Sequence, residues 1–166
     1  ETFLTARDRR PDGTFDPFWG EVIELVEENY YFKLQIHQEW LIHHIEASPG
    51  FIYPDYRRNE VLGFLKNNLL EDLCMTRPAA RLNWGIPLPF DPAYVTYVWF
   101  DALLNYITVP AALGDPVVLH ALNLQPSTVN PPLGLWPADV HVIGKDILKF
   151  HAVYWPILLK ALGLPL

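Results

Sequence analysis

Two stretches of this sequence place chemistry-bearing side chains where β-prone residues give way to a helix start. The first is Val140-His141-Val142-Ile143-Gly144-Lys145-Asp146. In doubly wound α/β sheets, ligands bind beyond the carboxyl ends of strands, and glycine there lets a ligand approach the backbone. Asp146 falls in the first helical turn, where the dipole favours a carboxylate. It can accept hydrogen bonds from ribose hydroxyls or an ammonium, or serve only to start the helix. Ile147 and His151 are four residues apart and share a helix face, beside Phe150, Tyr154 and Trp155. That histidine is either a hydrogen-bonded core group or a functional one. The second stretch is Tyr97-Val98-Trp99-Phe100-Asp101-Ala102, with Tyr106 downstream. Trp99 at a strand's carboxyl end can wall an apolar pocket, and Tyr106 can close it and offer a hydroxyl. Core packing would use the same residues.

Other groups are weaker. His43 and His44 with Glu39 have metal-ligand spacing, but His37 and His43, six apart, do not share a face well, and a solvated helix surface is the favoured reading. Arg57-Arg58 with Tyr53 and Tyr56 can touch phosphate or a base, or form a salt-bridged helix start. Glu27-Glu28 reads as a solvated turn, and Cys74 as buried rather than reactive. There is no Gly-x-Gly-x-x-Gly, no phosphate-binding Walker loop and no serine elbow.

The elements that must hold these residues follow from patterning. Residues 6–20 are rich in turn formers. Short strands are predicted near 21–25 and 29–34. Helical spacing begins at 36, with Ile36, Trp40, Leu41 and Ile45 on one face, and Ser48-Pro49-Gly50 ends it. A second helix is predicted over about 56–68 with Val61, Leu62 and Leu65 inward, and a turn of helix at 71–74. Residues 76–92 read as irregular or edge structure. Tyr94 to Phe100 and Val140 to Ile143 read as strands buried on both faces, as in a parallel sheet. Helices are predicted from Asp101 to about Ile107 and from Lys145 to about Leu162, the latter apolar on nearly every side and kinked at Pro156. Residues 110–137 read as a surface insertion with a short helix near 117–122.

Composition bounds the rest. Of 166 residues, 51% are hydrophobic and 19% charged, which excludes a disordered chain. No apolar run reaches the roughly 18 residues of a membrane span, and residues 1–15 lack a signal-peptide core. The single cysteine, Cys74, allows no internal disulfide and no cysteine-based zinc site. A reducing compartment, the cytoplasm, is the expectation. The net charge of −7 excludes a broad basic nucleic-acid footprint. Residues 85–166 hold only 8 charged side chains and 11 of the 16 prolines, where about a quarter charged is usual. That half reads as the inside of something larger, and both chain ends as cut.

Several segments carry a more specific pattern. They are Glu28-Asn29-Tyr30-Tyr31-Phe32-Lys33-Leu34, Gln38-Glu39-Trp40-Leu41, Arg57-Arg58-Asn59-Glu60-Val61-Leu62, Trp84-Gly85-Ile86-Pro87 and Tyr97-Val98-Trp99-Phe100-Asp101-Ala102. The most specific is Ile143-Gly144-Lys145-Asp146-Ile147-Leu148, continued by Phe150-His151 and Tyr154-Trp155-Pro156. Together these segments resemble methionyl-tRNA synthetases, and the matches run in order over roughly residues 19–106 and 135–166. The resemblance implies an α/β fold, part of a class I synthetase Rossmann-type catalytic domain plus the end of its connective-peptide insertion. Residues 1–92 would be the insertion's C-terminal part, and 93–166 the start of the second catalytic half.

By the same resemblance, Trp99, Ala102, Tyr106, Ile147 and His151 match the family's methionine side-chain pocket, with Phe150 and Trp155 as aromatic neighbours. Gly144 and Asp146 match the Gly-x-Asp element that meets the ribose of ATP or methionyl-adenylate. A thioether is soft and apolar and suits aromatic walls; His151 and Tyr106 would add the few polar contacts that orient it. The implied substrates and partners are methionine, ATP with Mg2+, tRNA(Met) and the remainder of a synthetase chain. No residue here reads as a general acid or base, and activation in this class rests on positioning and electrostatics. The His-Ile-Gly-His-type and Lys-Met-Ser-Lys-Ser elements that handle ATP phosphates have no counterpart here, so the chain by itself is expected to be inactive. Zinc-binding cysteines of the insertion also have no counterpart in residues 1–18. The alternative function is a stand-alone methionine-binding module without catalysis.

Overall fold

The computed structural model describes residues 4, 8–24, 26–125 and 134–166, and the backbone alone at Trp99. Two helices form the first core. Helix α1 spans Gln38–Ala47 after a 3₁₀ turn at Gln35–His37. Its spacing buries Leu41, Ile42 and Ile45. Ile36 departs from the expected face: it lies in the 3₁₀ turn, out of phase with α1, and is 73% exposed. Helix α2 spans Asp55–Asn67 and buries Val61, Leu62 and Leu65 as the spacing predicts. Gln38 ties the two together: it donates to the Leu65 and Asn68 carbonyls at 2.6 and 2.7 Å and accepts from the Leu70 N–H at 2.8 Å. Two carbonyls near the end of α2 thereby gain the partners that a helix terminus lacks.

The strands are shorter than the patterning suggested. Residues 21–24 form no ladder, so the strand expected at 21–25 is absent among the described residues. Tyr31–Phe32 (β1) pairs antiparallel with Leu73–Cys74 (β2), with Tyr31 opposite Cys74. That pairing occupies the place of the expected helical turn at 71–74, because cross-strand partners satisfy both backbones. Residues 76–92 contribute edges: Thr76–Pro78 (β3) and Pro87–Leu88 (β4) flank Asp91–Thr96 (β5) in a three-stranded antiparallel sheet, order β3-β5-β4. The apolar run at 94–100 is therefore not one buried parallel strand. It leaves the sheet at Thr96, and helix α3 covers Val98–Ala112. A short apolar run is ambiguous by itself; the three- and four-residue steps Phe100, Leu103, Leu104 and Ile107 settle it as helix, with Leu103 and Ile107 buried.

Helix α4, Pro116–Ala121, is capped by Asp115 with proline in its first turn. The short helix expected near 117–122 is thus present, but it is packed inward rather than lying on the surface, since Val118 and Leu119 are buried; residues 126–133 of that stretch lie outside the described residues. The second strand expected, Val140–Ile143, forms no ladder either. Val140 is 75% and Val142 94% exposed, because no strand among the described residues lies alongside to pair with them.

The last helix is continuous but irregular. A 3₁₀ turn at Lys145–Ile147 leads through Leu148 and Lys149 into a π-helical turn at Phe150–Tyr154, then helix α5, Trp155–Leu162. The π turn closes with the Trp155 N–H on the Phe150 carbonyl. Pro156, which has no N–H to donate, follows at once in the first turn of α5, so the irregularity lies just before the proline, as a π-bulge. Ala152, Val153 and Ile157 join the core of α1 and α2; Trp155, Leu158 and Leu159 join a second core with α3, α4 and Trp136. Burial on both flanks explains why this helix is apolar nearly all round.

Candidate functional site

The π turn carries His151 to the boundary between the two cores. Its Nδ1 lies 3.0 Å from the Ile147 carbonyl, one turn back. A carbonyl only accepts, so in the neutral imidazole Nδ1 holds the proton and Nε2 presents a lone pair. The Tyr106 hydroxyl donates to that Nε2 at 2.9 Å. Helix α3 aims Tyr106 there with Ala102 one turn earlier on the same face.

The surrounding rings are close. Tyr106 stands edge-on to His141 at 4.7 Å and tilted against Trp155 at 5.6 Å; His141 and His151 are 6.2 Å apart. Trp136 meets Trp155 edge-on at 6.1 Å. Burial first, and then the neighbouring His151, push the His141 pKa below its ordinary 6.5. The neutral ring is therefore the favoured form in the fold. Beside this cluster lies a cavity of about 750 Å³ whose walls include His141, His151, Trp155, Trp136 and Phe51. Asp139 also lines that cavity. The arrangement is suited to holding a small apolar group against aromatic faces, with one hydroxyl–imidazole pair to orient it.

The expected residues are brought together unevenly. Tyr106, His151 and Trp155 form the cluster, and Ile147 enters it through its carbonyl. Ala102 lies one turn from Tyr106, half-buried, and Phe150 packs edge-on against Tyr154 at 5.3 Å at the margin of the second core. Trp99 occupies the first turn of α3, and its side chain lies outside the described residues. Gly144 and Asp146 are exposed at the start of the 3₁₀ turn, seven and five residues before the cluster residue His151. At φ −74° the Gly144 backbone does not itself require glycine, and a Cβ would meet nothing within 4 Å. What glycine leaves there is an open approach to the backbone.

The weaker groups resolve locally. His43 bonds the Glu39 carbonyl at 2.8 Å, and His44 lies between Trp40 and Phe51. No cluster of three or more metal-ligating side chains occurs among the described residues. Arg57 pairs with Glu60 at 2.5 Å over the Tyr56 ring, and Arg58 bonds the Ile45 and Glu46 carbonyls. Glu27 is not a freely solvated turn residue: Arg81 pairs with it and holds its carboxyl below the usual carboxylate range. Cys74 is half-buried, its Sγ 3.6 Å from Arg77 Nη1.

Sequence reasoning missed His141, Trp136 and Asp115. An aspartate directly before a proline that opens a helix is a readable cap signal. A histidine inside an apolar stretch gives no comparable sign.

The chain is 46% identical over 95% of its length to the methionine–tRNA ligase of Rhizobium meliloti, and 45% identical over 91% of its length to a probable mitochondrial methionine–tRNA ligase of Neurospora crassa. It covers 28% and 24% of those relatives, so the chain spans about a quarter of their length. The crystal structure of Mycobacterium tuberculosis methionyl-tRNA synthetase bound by methionyl-adenylate superposes with a TM-score of 0.67 at 41% identity, over 84% of this chain and 25% of that one. The apo form of that enzyme gives 0.68 over the same shares. The described elements are thus a mixed α/β piece of a class I synthetase catalytic region. A family model described as tRNA synthetases class I (M) matches residues 20–166, nearly the whole chain, and the chain belongs to that family.

Proposed function

We propose that this chain is a segment of a methionine–tRNA ligase and that it supplies the methionine pocket and one ribose contact. Trp99, Ala102, Tyr106, Ile147, Phe150, His151 and Trp155 receive the methionine side chain; Gly144 and Asp146 meet the ribose of ATP or of methionyl-adenylate. Residues 1–92 are the end of the connective-peptide insertion, and 93–166 begin the second catalytic half. The whole ligase activates methionine with ATP and Mg2+ and transfers it to tRNA(Met) in the compartment of translation, the cytoplasm. Among the described residues no helix is long and apolar enough to cross a membrane.

The observation that carries this reading is the Tyr106–His151 hydrogen bond set against Trp155. The Ile147 carbonyl fixes the imidazole tautomer, so the hydroxyl proton is committed to His151. The His151 and Trp155 rings line the adjacent cavity and offer the polarizable contact that a thioether suits. Selection of methionine follows from shape and aromatic contact more than from charge. The chain's residues bind and orient; charge developing on phosphorus as the methionine carboxylate attacks ATP requires donors that this segment does not hold.

The test is methionine-dependent exchange of pyrophosphate into ATP. The complete natural polypeptide containing this chain is expected to catalyse it, and the 166-residue chain alone to give none while its melting temperature rises with saturating methionine. Exchange by the chain alone would refute the division of labour. Protection of the chain without exchange by the complete polypeptide would favour a methionine-binding module instead.

A further inference from the structure

Asp115 is the one charged side chain buried among the described residues, at 0% exposure. Its carboxylate accepts four backbone hydrogen bonds. Oδ1 takes the Val117 and Val118 N–H groups at 3.0 and 3.2 Å; Oδ2 takes Leu135 and Trp136 at 2.7 and 3.0 Å. Burial pushes its pKa up, and the four N–H donors more than offset that, leaving it below the ordinary 3.8. The group is a carboxylate, and its bonds are charge-assisted.

Capping α4 needs only the first oxygen. The second holds a segment twenty residues further along, at the point where Trp136 enters the core. That indole is 7% exposed and stands edge-on to Trp155, which is 2% exposed. Trp155 in turn lies against Tyr106, whose hydroxyl bonds His151. A continuous set of packed contacts thus runs from one carboxylate oxygen to the candidate pocket.

We infer that Asp115 is a positioning residue for the Tyr106–His151–Trp155 cluster beside the cavity: its second oxygen fixes Trp136, and Trp136 fixes Trp155. The inference rests on the pocket being the methionine site. Substitution at Asp115 should therefore act on methionine while sparing ATP, although Asp115 touches neither.

The experiment uses the complete natural polypeptide that contains this chain. Asp115→Asn can keep one oxygen on the cap but turns an NH2 toward the Leu135 and Trp136 N–H groups. Trp136→Phe keeps every main-chain bond to Asp115 and reduces only the ring. Both are expected to lower kcat/KM for methionine by roughly 10–100-fold, through KM for methionine, with KM for ATP unchanged. With 5-fluorotryptophan incorporated, the Trp155 fluorine resonance, assigned by Trp155→Phe, should shift in both variants. A merely structural role would lower the active fraction and leave KM for methionine alone. An unmoved Trp155 resonance, or an unchanged KM for methionine, overturns the inference. Should Asp115→Asn not fold, Trp136→Phe decides by the same readouts. If the unsubstituted polypeptide shows no methionine-dependent exchange, the functional reading fails, and the fluorine comparison alone decides the positioning role.

Discussion

Tyr106→Phe isolates a single hydrogen bond. The phenyl ring keeps the edge contact with His141 and the tilted contact with Trp155; only the 2.9 Å bond to His151 is lost. A neutral hydrogen bond contributes about 1 kcal/mol net, and a buried acceptor left without a donor costs more. His151 is half-buried, so water can partly replace the hydroxyl, and the expected cost is about 1–2 kcal/mol. At this chain length that corresponds to a fall of roughly 2–8 °C in melting temperature. The informative comparison is a double-mutant cycle with His151→Phe. Once the imidazole is gone the hydroxyl has no acceptor, so Tyr106→Phe in that background should cost little. The coupling is then about 1–2 kcal/mol, measured by urea denaturation of the four proteins with a shared m-value. Additivity within about 0.5 kcal/mol would refute the pairing of these side chains and, with it, the fixed tautomer of His151.

Two further outcomes follow from the same structure. Gly85 adopts φ +143°, and a Cβ there would meet the Val95 Cβ at 3.1 Å; because Val95 is buried on the central strand β5, Gly85→Ala is expected to cost about 1–3 kcal/mol, read as a lowered urea midpoint. Stability should also fall on mild acidification: burial lowers the pKa of both His44 and His141 from 6.5, so the unfolded chain binds protons that the fold resists. That contribution is complete above pH 6.5 and is lost as pH falls toward the folded values. Asp115, lowered from 3.8, acts only in stronger acid. Melting temperature followed from about pH 7.5 to about pH 5 should therefore decline, and His141→Gln should flatten part of the decline; an unchanged slope would exclude His141.

Helices α1 and α2 were legible because their apolar residues recur at helical spacing and meet each other within the chain. The strand expected at 29–34 was legible in part, as β1, and residues 76–92 do supply edges; the longer strands were not legible, for a physical reason that Val140 and Val142 make plain. A β-branched run signals a preference for a ladder, but the ladder forms only where a second strand lies alongside, and among the described residues none does. Tyr94 to Phe100 failed differently: half of the run pairs in β5 and half turns in α3, and apolar character alone does not mark the break. In the candidate site, His151 and Tyr106 were readable from spacing and resemblance together. His141 was not, because it joins the cluster from a segment with no periodicity. Asp115 carried a local cap signal, while its bonds to Leu135 and Trp136 are long-range and leave no trace in neighbouring residues.

The π turn at Phe150–Tyr154 also bears on how this segment tolerates changes of length. A regular α-helix repeats every 3.6 residues, so each residue advances the side chains by about 100°. A π-bulge is a helix holding one residue more than its ladder needs. Deleting a single residue between 150 and 154 would let Trp155 bond four residues back and restore an ordinary ladder. It would also turn one end of the helix against the other, taking His151 away from Tyr106 or Trp155 away from Trp136. Local regularity would improve while the cluster came apart. Single-codon deletions here should behave as loss-of-function alleles in soluble, well-folded protein, and only an insertion within the same turn should suppress them.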